Sequence, residues 1–354
     1  MKIFTIIGAR PQFIKASVVS MAIAQRPELE EVIVHTGQHF DSNMSDIFFE
    51  QLGIPRPDYQ LDIHGGSHGE MTGRMMIQIE QAMIKEKPDR VLVYGDTNST
   101  LAGALVAAKL HVPVAHIEAG LRSYNMRMPE EINRIVTDQV SDILFCPTQT
   151  AVDNLEREGF SSKPVQVLNV GDVMQDSALF FAKRASSPKN FTLGSGFVLA
   201  TLHRAENTDD IERLRAIVSA LNAVHRTIAP VVMPLHPRTR AAIQKASLTL
   251  EVAVIDPVGY LEMIWLLQRA GLVLTDSGGV QKEAFFFNKA CVTVRDETEW
   301  VELVDSGANL LVSATEKTIV DAVSVHLNRV VSDSGQLYGG GTAAVKIAEY
   351  LARP

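Results

Sequence analysis

The chain has 354 residues, 46% apolar and 21% charged, with a formal net charge of −8; this predicts two globular domains of about 150 residues and argues against a general nucleic-acid surface. Its two cysteines, Cys146 and Cys291, exclude a disulfide framework and a cysteine zinc site. The opening MKIFTIIGARPQ turns polar too soon for a signal peptide, and no apolar run nears the roughly 18 residues of a membrane span, so a cytoplasmic protein with no membrane partner is expected.

Ile3–Ile7 reads as a buried parallel strand, followed by a helix over Gln12–Gln25 with Pro11 in its first turn. Strand Val32–His35, helix Glu70–Lys85, strand Arg90–Val93, helix Ser99–Leu110 and strand Val112–Ile117 continue the alternation. Near residue 170 the rhythm resets. A second strand set is predicted at Val165–Val170, Phe197–Leu202, Val231–Leu235, Val252–Ile255, Leu272–Thr275 and Ala290–Val294. Helices fit Asp209–Arg226, Tyr260–Arg269 and Gly279–Phe286, and Ala185–Ser195 reads as an exposed loop. The pattern predicts an α/β fold with two open parallel sheets: a domain over 1–170, a second over 171–336, and a ligand held between them at the carboxyl ends of strands.

The polar residues fall where that geometry predicts chemistry. The strands of the first half end in Gly8-Ala9-Arg10-Pro11, Thr36-Gly37-Gln38-His39, Gly95-Asp96-Thr97-Asn98 and Glu118-Ala119-Gly120-Leu121-Arg122. Those of the second half end in His203-Arg204-Ala205-Glu206-Asn207, His236-Pro237-Arg238 and Asp276-Ser277-Gly278-Gly279. Asp96 could cap the helix that follows it, whereas Glu118, between an apolar strand and a glycine, is placed to face a cleft. Pro129-Glu130-Glu131-Ile132-Asn133-Arg134 reads as a helix start with acids in its first turn, and Glu130 and Arg134 are spaced for a surface ion pair. Asp276-Ser277-Gly278-Gly279 before a helix is a plausible phosphate seat, with Glu283 one turn on to accept ribose hydroxyls. Arg10 and Lys15 flank the first helix start and could neutralise a diphosphate. A G-x-G-x-x-G turn, a Walker A lysine and metal-ligand spacing are all missing, which weakens dinucleotide, NTPase and metalloenzyme readings.

Taken in order, Gly8-Ala9-Arg10-Pro11-Gln12, Gly95-Asp96-Thr97-Asn98-Ser99-Thr100, His116-Ile117-Glu118-Ala119-Gly120-Leu121-Arg122, Pro129-Glu130-Glu131-Ile132-Asn133-Arg134 and Thr275-Asp276-Ser277-Gly278-Gly279 strongly resemble the non-hydrolysing UDP-N-acetylglucosamine 2-epimerases over nearly the whole chain. The resemblance implies GT-B architecture: two Rossmann-like domains with UDP between them, and a C-terminal segment, 337–354, crossing back to the first domain. It implies inversion at sugar C2 by elimination of UDP to a glycal and re-addition, with no separate cofactor and no metal. By similarity, Asp96, Glu118 and Glu130 are the carboxylates for proton transfer and cation stabilisation, and His203 stands near the leaving phosphate. Arg10 and Ser277, Gly278 and Gly279 would hold the phosphates, Glu283 the ribose, and Lys15 and Arg134 would shape the charged site. A homodimer is expected.

Trp300 stands where the usual pattern has an arginine, and Gly65–Met75 forms a distinctive loop and helix start. Both are more like the subgroup acting on UDP-2,3-diacetamido-2,3-dideoxy-glucuronic acid, whose product leads to bacterial surface polysaccharide (O-antigen). A uronate needs a cationic partner; Arg74, Arg122 and Arg127 are candidates by position. Gln38, Arg74, Arg204 and His236 resemble parts of a second, activating substrate site. The rival readings are epimerisation of UDP-N-acetylglucosamine itself, a GT-B glycosyltransferase, and a nucleotide-sugar sensor.

Overall fold

A computed structural model describes residues 1–38, 56–189, 191–332 and 336–353, with the backbone alone at Arg10. Two compact units form, Met1–Ser177 with Gln336–Pro354, and Ala178–Gly335. The first contains β1 (Lys2–Ile7), α1 (Arg10–Ala24), β2 (Glu30–His35), β3 (Tyr59–Gln60), α2 (His68–Glu86), β4 (Arg90–Tyr94), α3 (Asn98–Lys109), β5 (Val114–Ile117), α4 (Pro129–Val140), β6 (Ile143–Cys146), α5 (Gln149–Arg157) and β7 (Gln166–Asn169). Helix α6 (Val173–Ala182) carries the chain out of it.

The second unit contains β8 (Val198–Thr201), α7 (Ala205–Thr208), α8 (Ile211–Thr227), β9 (Val231–Pro234), α9 (Pro237–Lys245), β10 (Ala253–Ile255) and α10 (Tyr260–Arg269). It continues through β11 (Leu272–Thr275), α11 (Gly278–Phe286), β12 (Cys291–Val294), α12 (Val301–Asp305), β13 (Asn309–Val312) and α13 (Glu316–His326). Helix α14 (Ala343–Leu351) belongs to the first unit again. The Ala343 and Ala344 amides donate to the Asp176 carboxylate at 3.2 and 2.8 Å, which satisfies two of the orphan donors at the start of α14.

The strand orders are β3-β2-β1-β4-β5-β6-β7 and β10-β9-β8-β11-β12-β13, with parallel pairing throughout. The central strands are nearly all apolar because both faces of each sheet are covered; Phe4, Ile6, Val91 and Val93 are fully buried against Met75 and Ile79 of α2 and Ala102 of α3. Each such apolar side chain contributes about 1.5–3 kcal/mol by leaving water. Val165–Val170 does not open the second strand set. As β7 it pairs with β6 and ends the first sheet. The run Ile143–Cys146, which is β6, supplies the missing partner between β5 and β7. Strand order reverses between β1 and β4 in one sheet and between β8 and β11 in the other. Helices leave to opposite faces at such points, and a crevice opens beyond the strand ends. Among the described residues no helix is long and apolar enough to cross a membrane.

Candidate active site

In the first unit the β1 and β4 turns are tied together by Gln12. Its Oε1 accepts from the Gly8 and Ala9 amides at 2.8 and 3.0 Å, and its Nε2 donates to the Tyr94 carbonyl at 2.8 Å. A cavity of about 200 Å³ lies over this switch point, and its walls include Lys15, Gln38, His68, Asp96, Glu130 and Asn133. Gln38 is fixed there, its Oε1 accepting from the Ser99 amide and hydroxyl at 3.1 and 2.8 Å.

The acids around the cavity differ in setting. Glu118 has φ 71°, a left-handed backbone that costs a residue with a side chain about 1 kcal/mol or more. Its carboxylate is bonded to the Lys15 ammonium. A β-carbon on Gly95 would lie 3.2 Å from Glu118 Oε2 and 3.5 Å from Lys15 Nζ, so the glycine leaves room for that pair. Asp96 is half-buried, and Arg134 bonds its Oδ2 at 2.5 Å. Burial pushes the Asp96 carboxyl up; Arg134 pulls it down and Glu118 adds to the rise, leaving it above the ordinary carboxylate value. A carboxyl raised in this way holds a proton more readily than a free aspartate does, which suits a proton-transfer role. Glu130 is exposed on the cavity wall at the start of α4.

Glu130 and Arg134 do not form the ion pair that their spacing predicts. Arg134 instead bonds Glu131 Oε2 at 2.9 Å, three residues back, and Asp96. Glu131 is fully buried and also accepts from the Ser123 amide and hydroxyl and the Tyr124 amide at 2.9–3.0 Å. The sequence reading missed Glu131; its signal was the stripe Glu131, Arg134, Asp138, which faces inward on α4.

Arg122 already has two carboxylate partners. Its side chain is buried, bonded to Glu158 through Nε and Nη2 at 2.6 and 2.7 Å and to Asp138 through Nη1 at 2.7 Å. Burial pushes its guanidinium down, and Glu158 and Asp138 more than reverse that. His116 bonds Asp138 Oδ1 through Nδ1 at 2.7 Å and the Gly95 carbonyl through Nε2 at 2.7 Å, so this buried cluster braces the turn that carries Asp96. Arg74 donates from Nη2 to the His64 and Gly65 carbonyls at 3.1 and 2.6 Å and closes the loop before α2. Arg127 is exposed. The Arg10 side chain and His39 lie outside the described residues.

The second unit builds its turn on Asp276, which is fully buried after β11. Its carboxylate accepts from the His203 amide at 3.1 Å, the Arg204 amide at 2.9 Å and Asn207 Nδ2 at 3.3 Å, and it faces His203 Nδ1 at 3.3 Å. Burial lowers the His203 pKa, Asp276 opposes, and Arg204, His236 and Arg238 reinforce the fall, so the net shift is downward. Beside it, Ser277 is the N-cap of α11, Gly278 and Gly279 open the helix, and Glu283 is buried one turn later. His236 caps α9, accepting from the Arg238 amide at 3.2 Å, and its ring is exposed. Trp300 is buried with the Lys282 ammonium 3.8 Å from its ring centroid, a cation–π contact at the position where an arginine was expected.

The amino-acid sequence matches the family described as UDP-N-acetylglucosamine 2-epimerase over residues 21–352. It is 72% identical over 353 residues, covering all of both chains, to a Pseudomonas aeruginosa protein named UDP-2,3-diacetamido-2,3-dideoxy-D-glucuronate 2-epimerase. Among solved structures, a Methanocaldococcus jannaschii UDP-GlcNAc 2-epimerase in complex with UDP-GlcNAc and UDP is 42% identical, with a TM-score of 0.89 over 99% of each chain. A Neisseria meningitidis UDP-GlcNAc 2-epimerase bound to UDP-GlcNAc is 31% identical, with a TM-score of 0.88 over 99% of each chain. The two Rossmann-like units are of the GT-B class, as these neighbours are. On this agreement of sequence and fold, the chain belongs to the UDP-N-acetylglucosamine 2-epimerase family of isomerases.

Proposed function

We propose that this enzyme inverts C2 of UDP-2,3-diacetamido-2,3-dideoxy-D-glucuronate. The supporting observation is the 72% identity over the full length to a relative named for that reaction. The first unit's cavity adds a chemical reason, since it gathers proton-carrying groups that a transferase has no evident use for.

The C2 proton is not next to a carbonyl, so its direct removal is very costly. Elimination avoids this. The C2–H and C1–O bonds break, a C1=C2 double bond forms, and UDP leaves with the electron pair of the C1–O bond. Re-addition reverses each change, with the proton delivered to the other face of C2. In this reading Asp96, Glu118 and Glu130 serve the two proton transfers and the cationic character at C1. Asp96 is the foremost candidate because its carboxyl is raised. His203 and the start of α11, from Ser277 to Gly279, hold the diphosphate. Glu283 takes the ribose, and Arg10 and Lys15 add positive charge. The enzyme works as a cytoplasmic homodimer without a separate cofactor, and its product enters surface-polysaccharide synthesis.

The test is turnover of the pure enzyme on UDP-2,3-diacetamido-glucuronate with no acceptor present, followed by NMR of the anomeric and C2 signals. A manno product from this sugar and little from UDP-N-acetylglucosamine is expected. Preference for the neutral sugar overturns the substrate assignment, and a requirement for an acceptor favours the transferase.

A further inference from the structure

We propose that His68 binds the sugar, its Nε2–H donating to the carbonyl of the acetamido group at C3. The proposal rests on the substrate reading above. It assigns a role to the Gly65–Met75 segment, which the proton chemistry leaves unused.

The segment is built to place one side chain. Gly65 and Gly66 have φ 68° and 89°, two successive left-handed residues that glycine tolerates. Ser67 then caps α2 by accepting from the Glu70 amide at 3.3 Å. Arg74 reaches back to the His64 and Gly65 carbonyls and holds the loop closed. The first residue of the helix is His68, and it stands on the cavity wall.

A chain of amides fixes which ring nitrogen carries the proton. Asn133 Nδ2 lies 2.9 Å from the Asp96 carbonyl, which can only accept, so that atom is the amide nitrogen. The same nitrogen faces Asn98 Oδ1 at 3.3 Å, which orients Asn98. Asn98 Nδ2 then faces His68 Nδ1 at 3.3 Å. An amide NH₂ donates and does not accept, so Nδ1 is bare and the ring proton sits on Nε2. Asn98 and Asn133 are each only 6% exposed, so solvent does not compete for the two amides, while the His68 ring at the end of the relay is exposed. The result is a neutral N–H donor at the cavity, oriented through the backbone of Asp96.

A neutral donor suits an amide carbonyl. It is a weaker match for a carboxylate, which calls for a cation. The nearby cations among the described residues already have carboxylate partners: Lys15 bonds Glu118, and Arg134 is shared by Asp96 and Glu131. Position agrees. C3 is one bond from the reacting C2, whereas the C6 carboxylate lies across the ring from it. Of the two acetamido groups, the one on C2 changes face during the reaction and the one on C3 does not, so the fixed donor is assigned to the C3 group, which distinguishes a 3-acetamido sugar from a 3-hydroxy sugar.

The test compares wild type, H68F and H68Q on UDP-2,3-diacetamido-glucuronate and on UDP-N-acetylglucosaminuronate, which differs only in carrying a hydroxyl at C3. The expected result is that H68F loses about 5–10-fold more kcat/KM on the diacetamido sugar than on the hydroxyl analogue. H68Q, whose amide can still donate, should recover part of that loss. Equal losses on both sugars, or none, overturn the role of His68 and leave the substrate reading standing. A wild type that ignores the diacetamido sugar and turns over UDP-N-acetylglucosamine overturns the substrate reading, and this proposal with it. Histidine ¹⁵N NMR of the wild type, above the imidazole titration range and assigned with H68F, checks the proton directly. A bare Nδ1 is expected, and a protonated Nδ1 overturns the proposal whatever the substrate.

Discussion

Arg134 spans two carboxylates, donating to Asp96 Oδ2 at 2.5 Å and to Glu131 Oε2 at 2.9 Å. Only one of them is open to the cavity. Glu131 is fully buried and takes three further donors, so it anchors the arginine that in turn positions Asp96. Glu131→Ala removes one of the two carboxylates that hold the buried Arg134 and strands the Ser123 and Tyr124 amides. It should cost about 3–5 kcal/mol in denaturant unfolding and lower kcat far more than it raises KM. A stability loss below about 1 kcal/mol would contradict this account of Glu131.

Asp96 titrates above its ordinary value of 3.8 because its partial burial, helped by Glu118, outweighs the pull of Arg134. The folded protein therefore binds that proton more tightly than the unfolded chain does. The stability this group contributes is present at low pH and falls as pH rises from 3.8 through the folded value. Asp96→Asn should flatten that part of the stability–pH curve and abolish turnover. If Asp96 acts as the base, the acid limb of kcat in the wild type should lie above the ordinary aspartate value. A variant that keeps wild-type kcat would remove Asp96 from the chemistry.

Gly95→Ala tests the room left for Lys15 and Glu118. The backbone there has φ 62°, and the added carbon would stand 3.2 Å from Glu118 Oε2. About 1–2 kcal/mol of stability should be lost to the backbone alone, and kcat should fall by at least tenfold as the pair is displaced. Wild-type kinetics in a stably folded Gly95→Ala enzyme would show that the Lys15–Glu118 arrangement is unimportant.

Arg122→Met separates a structural arginine from a uronate contact. With Glu158 losing its partner and Asp138 left with only His116 and the Gly120 amide, stability should drop by about 3 kcal/mol. KM should change by the same factor for the uronate and for a neutral sugar. A rise confined to the uronate would put Arg122 back in the binding site.

Much of the fold was legible because parallel strands buried on both faces are short apolar runs, and nearly every predicted strand lies within a residue or two of an observed one. The misassigned case was Val165–Val170, which is partly exposed at a sheet edge and whose neighbour Ile143–Cys146 went unread. In the site, residues directly after strands were visible as a class: Asp96, Glu118 and His203 all sit at strand ends. What stayed hidden depends on three-dimensional facing. Adjacent acids Glu130 and Glu131 look alike in a row of letters, yet one is exposed and the other buried. Arg122 looks like a free cation until Asp138 and Glu158, from two later helical segments, close on it. Asp276 was read only as part of a phosphate turn, because the backbone amides it accepts come from residues more than seventy positions earlier.

The most direct measurement is the reaction in D₂O with UDP-2,3-diacetamido-glucuronate, following C2 by NMR. A manno product carrying deuterium at C2 is expected, with label also entering recovered substrate, and loss of both in Asp96→Asn. Inversion with the original C2 proton fully retained would contradict elimination and re-addition with proton exchange through the enzyme's carboxylates.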